Sequence, residues 1–240
     1  MAISLLDLEK FGATPLATEP FSYIVVPGFI RAEALPLINA DYPDISRPGS
    51  FPLGQLTYGP AFRAFVDELE SAEFREAFER KFKIGLTGRP TTVTVRGHCA
   101  AKDGQIHTDS ASKIITVLIY MNPSWEAPGG RLRLLRCNND FDDMIAEVPP
   151  IEGAMLAFRR AGNSWHGHKP FVGARRVIQF NWVASEKDQR IAMLRHHASA
   201  ALKRVFARLT PPPAFARYGA KREAVSPAPR EPSASIAWRN

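Results

Sequence analysis

Three histidines and an aspartate are the residues of this chain most suited to binding a metal. His107 and Asp109 are two residues apart, so on a strand their side chains point to the same face. His166 and His168 follow later and share a face in the same way. Two imidazoles and one carboxylate are the ligand set of non-heme Fe(II) enzymes that activate oxygen, because three coordination positions stay open. The pattern predicts such a metal site.

An arginine pair follows these histidines. A guanidinium group matches the two oxygens of a carboxylate, so one of these arginines is a candidate for binding an acidic co-substrate. Strand alternation places Arg175 and Arg176 on opposite faces. Trp182 shares the face of Arg176, and Gln179 shares the face of Arg175. Alternation alone does not say which face carries the metal.

The segments between these residues resemble a known family. The His-x-Asp motif leads to a strand ending in Tyr120-Met121-Asn122, then to Gly129-Gly130-Arg131-Leu132 and to Gly153-Ala154-Met155-Leu156-Ala157-Phe158. This order resembles the 2-oxoglutarate/Fe(II)-dependent dioxygenases of the prolyl-4-hydroxylase-like group. The resemblance is close over residues 90–185 and loose over residues 20–90.

The resemblance selects among the candidates. In that family a proline lies four residues after the second histidine ligand, and the oxoglutarate anchor lies nine or ten residues after it. Pro170 is four residues after His166, and Arg176 is ten. An aromatic residue follows the family's anchor by six positions, as Trp182 follows Arg176. The resemblance therefore implies that the metal ligands are His107, Asp109 and His166, with Arg176 as the anchor and Arg175 as a surface charge.

Two further residues remain open at this stage. Tyr120 stands where related enzymes often hydrogen-bond the co-substrate's carboxylate, but a core tyrosine fits the position equally well. His168 is either a residue beside the ligands, on the substrate side, or an ordinary polar strand residue. The resemblance implies Fe(II), 2-oxoglutarate as co-substrate and O2. It also implies that oxidative decarboxylation of 2-oxoglutarate to succinate and CO2 is coupled to hydroxylation of a substrate.

Other functions and many substrates remain compatible with these residues. A cupin-like metalloenzyme that does not use 2-oxoglutarate would need no Arg176, and a binding module with a relic site would be expected to lack some ligands. The substrate is either a small molecule or a peptidyl residue, and prolyl residues, amino acids, sugars, lipids and metabolites all stay possible. Specificity is expected in loops, here 46–60, 97–106 and 137–148, whose composition does not identify a substrate.

The expected fold class is mostly β with flanking helices. Short β-rich runs separated by glycine and proline favour a sandwich or jelly roll, and the resemblance implies the double-stranded β-helix. The clearest runs are Thr91–Gly97, Lys113–Met121, Arg131–Leu135, Ala154–Phe158 and Arg175–Val183. Apolar residues at helical spacing predict helices within 31–40 and 60–82.

One catalytic domain is expected over residues 1–209, with the metal-binding core at about 90–185 and an amphipathic helix at about 187–209. Residues 210–240 are rich in proline, alanine and arginine, and predict a disordered basic tail. From residue 186 onward there are 11 Lys/Arg and 4 Asp/Glu, which accounts for the whole net charge of +7.

The remaining composition indicates a cytoplasmic protein. The chain has no apolar run approaching the roughly 18 residues of a membrane span, and its start does not resemble a secretory signal. Cys99 and Cys137 are the only cysteines, and they do not have metal or redox spacing. A basic tail is able to contact nucleic acid or an anionic membrane surface, but a solvated appendage is the expectation, so nucleic acid is not the expected partner. The oligomeric state is left open.

Overall fold

The fold of the chain is seen in a computed structural model, which describes residues 4–195. Its helices are α1 (Leu8–Ala13), α2 (Leu35–Ala40), α3 (Pro60–Leu69) and α4 (Ala72–Phe82), with a 3-10 turn at Leu53–Gln55. Its strands are β1 (Tyr23–Val26), β2 (Phe51–Pro52), β3 (Thr91–Cys99), β4 (Lys113–Tyr120), β5 (Leu132–Leu135), β6 (Met144–Val148), β7 (Met155–Arg159), β8 (Trp165–Gly167) and β9 (Gly173–Val183).

The strands form two antiparallel sheets. The larger sheet has the order β1-β7-β4-β9-β3-β2, and the smaller has the order β6-β5-β8. His107 adds an isolated antiparallel bridge to His166 of β8, so the segment before β4 extends the smaller sheet at its edge. From β3 onward, successive segments therefore join the two sheets in a jelly-roll order. The predicted double-stranded β-helix is confirmed.

Strand alternation divides the apolar residues of the larger sheet between two cores. On β4, Ile115, Val117 and Ile119 pack on the helix side with Phe62, Phe74 and Phe78, among others. Tyr120 instead packs between the sheets, in a core completed by Leu132, Leu134, Val148, Leu156, Phe158 and Val177. The helices thus cover the outer face of the larger sheet. The inner face is left for the smaller sheet and the site.

The predicted helical region 60–82 is two helices. α3 ends at Leu69, and α4 begins after Ser71, whose hydroxyl accepts a hydrogen bond from the Phe74 backbone N–H at 3.1 Å. Serine is favoured at this capping position because it satisfies a free N–H of the first turn. The break lets both helices turn aromatic side chains toward the sheet.

Several predicted boundaries differ from the structure. β6 lies inside the predicted loop 137–148, and β3 extends to Cys99, inside the predicted loop 97–106. β6 is hard to detect because Glu147 interrupts its apolar run and the apolar side chain of Met144 is exposed. Short edge strands gain most of their stability from their neighbours.

Most of the predicted C-terminal helix and the whole tail lie beyond residue 195. Residues 186–195 are helical, whereas the rest of the predicted helix 187–209 and the tail 210–240 lie outside the described residues. Ile191 and Leu194 are 38% and 66% exposed. Within residues 4–195, no helix is both long and apolar enough to cross a membrane.

Candidate metal centre

The structure brings His107, Asp109 and His166 together. One ligand atom from each residue lies within 4.8 Å of the others. His107 and His166 are held at backbone level, since the N–H of each donates to the carbonyl of the other at 3.0 and 2.9 Å. Asp109 follows two residues after His107 and reaches the same face. Two sequence-distant segments therefore bring together three side chains that could hold a metal ion.

The two imidazoles are oriented by hydrogen bonds to backbone carbonyls. Nδ1 of His107 lies 2.8 Å from the Gln105 carbonyl oxygen. Nδ1 of His166 lies 3.0 Å from the Ser164 carbonyl oxygen. A carbonyl can only accept, so each Nδ1 carries the proton and each Nε2 keeps its lone pair. Metal-binding histidines in proteins are commonly oriented in this way.

Asp109 is buried, and both of its carboxylate oxygens have donors. Lys113 Nζ donates to Oδ1 at 2.7 Å, and the Thr116 hydroxyl donates to Oδ2 at 2.5 Å. Burial opposes the charged form, but Lys113, His166 and these hydrogen bonds outweigh it and lower the pKa of Asp109. The carboxyl group is therefore ionised at neutral pH, as a metal ligand must be.

Burial also keeps the second histidine ligand neutral. His166 is 5% exposed, and burial lowers its pKa to about 4 despite the attraction of Asp109. His107 is exposed, so the triad opens to solvent on the His107 side. A neutral imidazole and an ionised carboxylate are the protonation states that bind a divalent ion.

His168 lies beside the triad. It lines the same cavity, and burial followed by the charge of Arg175 lowers its pKa to about 4. Its Nδ1 is 2.9 Å from the Lys169 carbonyl oxygen. Gly104, with φ +85°, packs against its ring so closely that an added Cβ would come within 2.4 Å. His168 thus forms a wall of the cavity outside the three-ligand cluster.

A cavity of about 200 Å³ adjoins the three ligands. Leu118, Leu132 and Val177 supply apolar wall, while the polar wall includes Arg96, Lys113, Thr116, His168, Arg175 and Gln179. These residues come from both sheets, so the cavity is the space between them. Apolar walls around a few convergent polar groups are typical of small-molecule sites.

The prediction that Arg176 faces this cavity is wrong. Arg175 lines the cavity and is 5% exposed, and its Nε donates to the Gly130 carbonyl at 2.8 Å. Arg176 is exposed on the opposite face, with its guanidinium carbon 5.2 Å from the centre of the Tyr42 ring. Arg175 is nine residues after His166, which is also within the family's spacing.

The error arises because Trp182, six residues after Arg176, is used to identify the co-substrate anchor. Trp182 shares the face of Arg176, as predicted, but that face packs on the helices: its ring stacks on Phe74 at 5.6 Å and contacts Phe78 at 5.0 Å. The opposite face of β9 carries Asn181, which contacts Thr116 at 3.1 Å and so leads to Asp109. The faces alternate as predicted, but the cavity and the cluster of His107, Asp109 and His166 lie on the face of Arg175.

Tyr120 lies on the cavity side of β4, next to Arg175. It is fully buried, and its hydroxyl has no acceptor among the described residues. Burial raises its pKa, although the charge of Arg175 opposes that effect. The guanidinium carbon of Arg175 is 5.5 Å from the ring centre. A buried hydroxyl without an acceptor beside a buried guanidinium fits one carboxylate of 2-oxoglutarate, because both groups can donate to it.

Three residues that hold the site together were not predicted. Lys113 and Thr116 hold Asp109, and the Asn122 side chain holds the backbone of Arg176, accepting from its N–H at 2.7 Å and donating to its carbonyl at 3.1 Å. Asn122 thereby fixes the neighbouring Arg175. The alternation of β4 is a signal that could have identified Thr116, because Thr116 shares the strand face of Tyr120. The sequence carries no such signal for Lys113, because its contact with Asp109 depends on the turn between residues 109 and 113.

A protein-family model supports the same assignment. Residues 95–184 match the model described as the 2OG-Fe(II) oxygenase superfamily. The matched segment contains the three clustered ligands and both arginines. No curated protein matches the chain in a sequence search.

Solved structures show the same fold. A prolyl-4-hydroxylase from Pseudomonas putida aligns with a TM-score of 0.50 at 16% identity, over 74% of this chain and 97% of that one. The viral collagen prolyl hydroxylase of Paramecium Bursaria Chlorella virus-1, in its 2OG complex, aligns with a TM-score of 0.50 at 15% identity, over 68% of this chain and 96% of that one. At these identities the likeness concerns the fold.

Proposed function

We propose that the chain is a hydroxylase of the 2OG-Fe(II) oxygenase superfamily, whose members use Fe(II), 2-oxoglutarate and O2. The match of residues 95–184 to the model of that superfamily supports the proposal. In this proposal His107, Asp109 and His166 bind Fe(II). Arg175, with Tyr120, binds 2-oxoglutarate. Oxidative decarboxylation of the co-substrate is coupled to hydroxylation of a C–H bond of the substrate.

One observation carries the proposal. The three potential ligand atoms lie within 4.8 Å of one another, and each imidazole Nδ1 is held by a backbone carbonyl, which leaves the Nε2 lone pair for a metal. Ordinary surface polarity does not require two oriented histidines and an ionised buried carboxylate at one point. The donor set is that of an iron site with open positions.

The residues of the chain prepare the site rather than carry the oxidation. When bound, Fe(II) with 2-oxoglutarate and O2 supplies an oxidant strong enough to attack an unactivated C–H bond. Lys113 and Thr116 hold the Asp109 carboxylate in one orientation. Leu118, Leu132 and Val177 exclude water from the cavity wall, which protects a reactive centre from side reactions.

Arg175 is suited to the far carboxylate of the co-substrate. Its Nε is already used by the Gly130 carbonyl, which fixes the plane of the guanidinium and leaves the terminal N–H groups for a ligand. Tyr120 offers its unpartnered hydroxyl at the same place. When Arg175 and Tyr120 both donate to one carboxylate, they fix its position in the cavity. A linear diacid of one length is then favoured, because the opposite end of the molecule must reach the metal.

The alternatives are less well supported. A metalloenzyme that does not use 2-oxoglutarate would have no use for a buried guanidinium beside an orphaned tyrosine hydroxyl. A relic site would not need to keep Asp109 ionised and doubly hydrogen-bonded. Neither alternative accounts for Arg175.

The test is 2-oxoglutarate consumption by the full-length protein with Fe(II), ascorbate and O2, followed as succinate formation. We expect turnover without added substrate that is slow and that increases with some members of a metabolite and peptide panel. The Asp109→Asn variant should form no succinate. Metal binding without any 2-oxoglutarate binding or turnover in the wild-type protein would favour the cupin-like alternative.

A further inference from the structure

Lys113 is a cavity cation whose position suggests a role beyond holding Asp109. It is the first residue of β4, lines the cavity, and has a side chain 19% exposed. Asp109 Oδ1, at 2.7 Å, is the protein acceptor of its Nζ within residues 4–195. An ammonium group has three N–H donors. Two of them therefore remain for another acceptor.

The register of the larger sheet separates Lys113 from the co-substrate anchor. Lys113 pairs with Val183 at the end of β9, whereas Tyr120 pairs with Val177, next to Arg175. Thr116, which holds Asp109, lies between them along β4. The order along the cavity is therefore Arg175, then the metal ligands, then Lys113. An acceptor bound by Lys113 lies on the side of the metal away from the 2-oxoglutarate anchor.

The loaded cavity keeps one excess positive charge. The two positive charges of the ferrous ion are matched by the two negative charges of 2-oxoglutarate, and Asp103 offsets Arg96 at 3.1 Å. The histidine ligands are neutral when they bind a metal. Among the other charged residues that are described as lining the cavity, Lys113 and Arg175 are cations, and Asp109, paired with Lys113 at 2.7 Å, is the anion. Because Arg175 binds the far carboxylate of the co-substrate in the proposed function, Lys113 is the cation that keeps N–H donors for a further anionic ligand.

We propose that Lys113 determines substrate specificity by binding a carboxylate of the substrate. This rests on the proposed function, since the substrate must meet the metal beside the bound co-substrate. The carboxylate belongs either to a free acid, such as an amino acid, or to an acidic side chain of a peptide. Lys113 contacts the substrate in this scheme and the hydroxylated carbon lies between that contact and the metal.

The experiment measures binding to the full-length protein loaded with Mn(II) and 2-oxoglutarate without oxygen. Calorimetry compares matched probes: free amino and hydroxy acids against their amides, and pentapeptides containing Asp or Glu against their Asn or Gln counterparts. We expect at least one acid to bind about tenfold more tightly than its neutral partner. Which arm shows the preference identifies the source of the carboxylate.

Variants separate recognition from support of the metal site. Lys113→Gln should reduce the acid-to-amide ratio to about threefold or less, and Lys113→Arg should preserve it. The ratio is internal to each variant, so a change in metal affinity does not alter it. Lys102→Gln removes an exposed lysine of a nearby loop that does not line the cavity, and should leave the ratio unchanged.

The outcomes are distinguishable from failure of the proposed function. A wild-type protein that binds no 2-oxoglutarate in the Mn(II) form fails at the earlier step, and the Lys113 proposal falls with it. A protein that binds and consumes 2-oxoglutarate but prefers no acid over its amide overturns the Lys113 proposal alone. An acid preference that survives in Lys113→Gln overturns it as well, and points to another cation.

Discussion

His107 and His166 are direct cross-strand partners, joined by two backbone hydrogen bonds of 3.0 and 2.9 Å, with ring centres 4.4 Å apart. Because of this pairing, the backbone of the smaller sheet sets the geometry of the candidate metal centre. The distance between the two imidazoles is set by strand spacing, and each ring is then turned by its own carbonyl partner. Of His107, Asp109 and His166, only His166 lies in a named strand, so this bridge fixes the position of His107 relative to β8.

The first prediction concerns the metal ligands. His107→Ala, Asp109→Asn and His166→Ala should each abolish stoichiometric Fe(II) or Co(II) binding, measured anaerobically by calorimetry, because each removes one of three ligands. The melting temperature of the metal-free protein should show that each variant is folded. His168→Gln is the matched control and should still bind one equivalent. Loss of metal in that control, with binding retained in His166→Ala, would exchange the roles of the two histidines.

A second prediction separates the two arginines. Arg175→Ala should weaken 2-oxoglutarate binding to the Mn(II)-loaded protein by about 2–5 kcal/mol, the usual cost of removing one partner of a buried charged pair. Arg176→Ala should change that affinity little, because its side chain lies over Tyr42 on the other face. Equal effects of the two substitutions on co-substrate affinity would contradict the assignment of Arg175.

The third prediction tests the support of Asp109. Thr116→Val keeps the shape of the side chain but removes the hydroxyl that donates to Oδ2. Groups that orient a metal ligand typically contribute about 10–100-fold to metal affinity, and we expect a loss of that size by Co(II) titration. Thr92→Val is the control, because the Thr92 hydroxyl accepts from Asn181 and does not touch Asp109. A similar loss in both variants would indicate a general loosening of the sheet.

The fourth prediction concerns the domain boundary, which we propose to lie near residue 209. A chain truncated after Leu209 contains every proposed ligand and should keep its melting temperature and its 2-oxoglutarate turnover. A chain truncated after Ser185 loses the bond from Gln189 to the Thr91 carbonyl, 2.7 Å long, and should melt earlier. If the longer chain binds metal but forms no succinate, residues 210–240 take part in closing the site or recruiting the substrate.

The strands that can be predicted are those with strong apolar runs. β3, β4, β5, β7 and β9 are predicted to within a few residues, because most of their side chains pack in one of the two cores. β2, β6 and β8 are missed. β6 is partly exposed and β8 has three residues, so both depend on pairing with β5. A short segment stabilised by its neighbours carries little local signal.

By itself the sequence determined the candidate ligand set and the alternation of the strands that carry it, because residue type and a two-residue period are local properties. The face of β9 that lines the cavity is decided by residues that are distant in the sequence. It depends on whether Trp182 packs against the helices or against the smaller sheet, and only the tertiary packing of Trp182 on Phe74 and Phe78 decided it in favour of Arg175. The contact of Lys113 with Asp109 was decided in the same way, by the turn that brings the start of β4 back to the metal ligands.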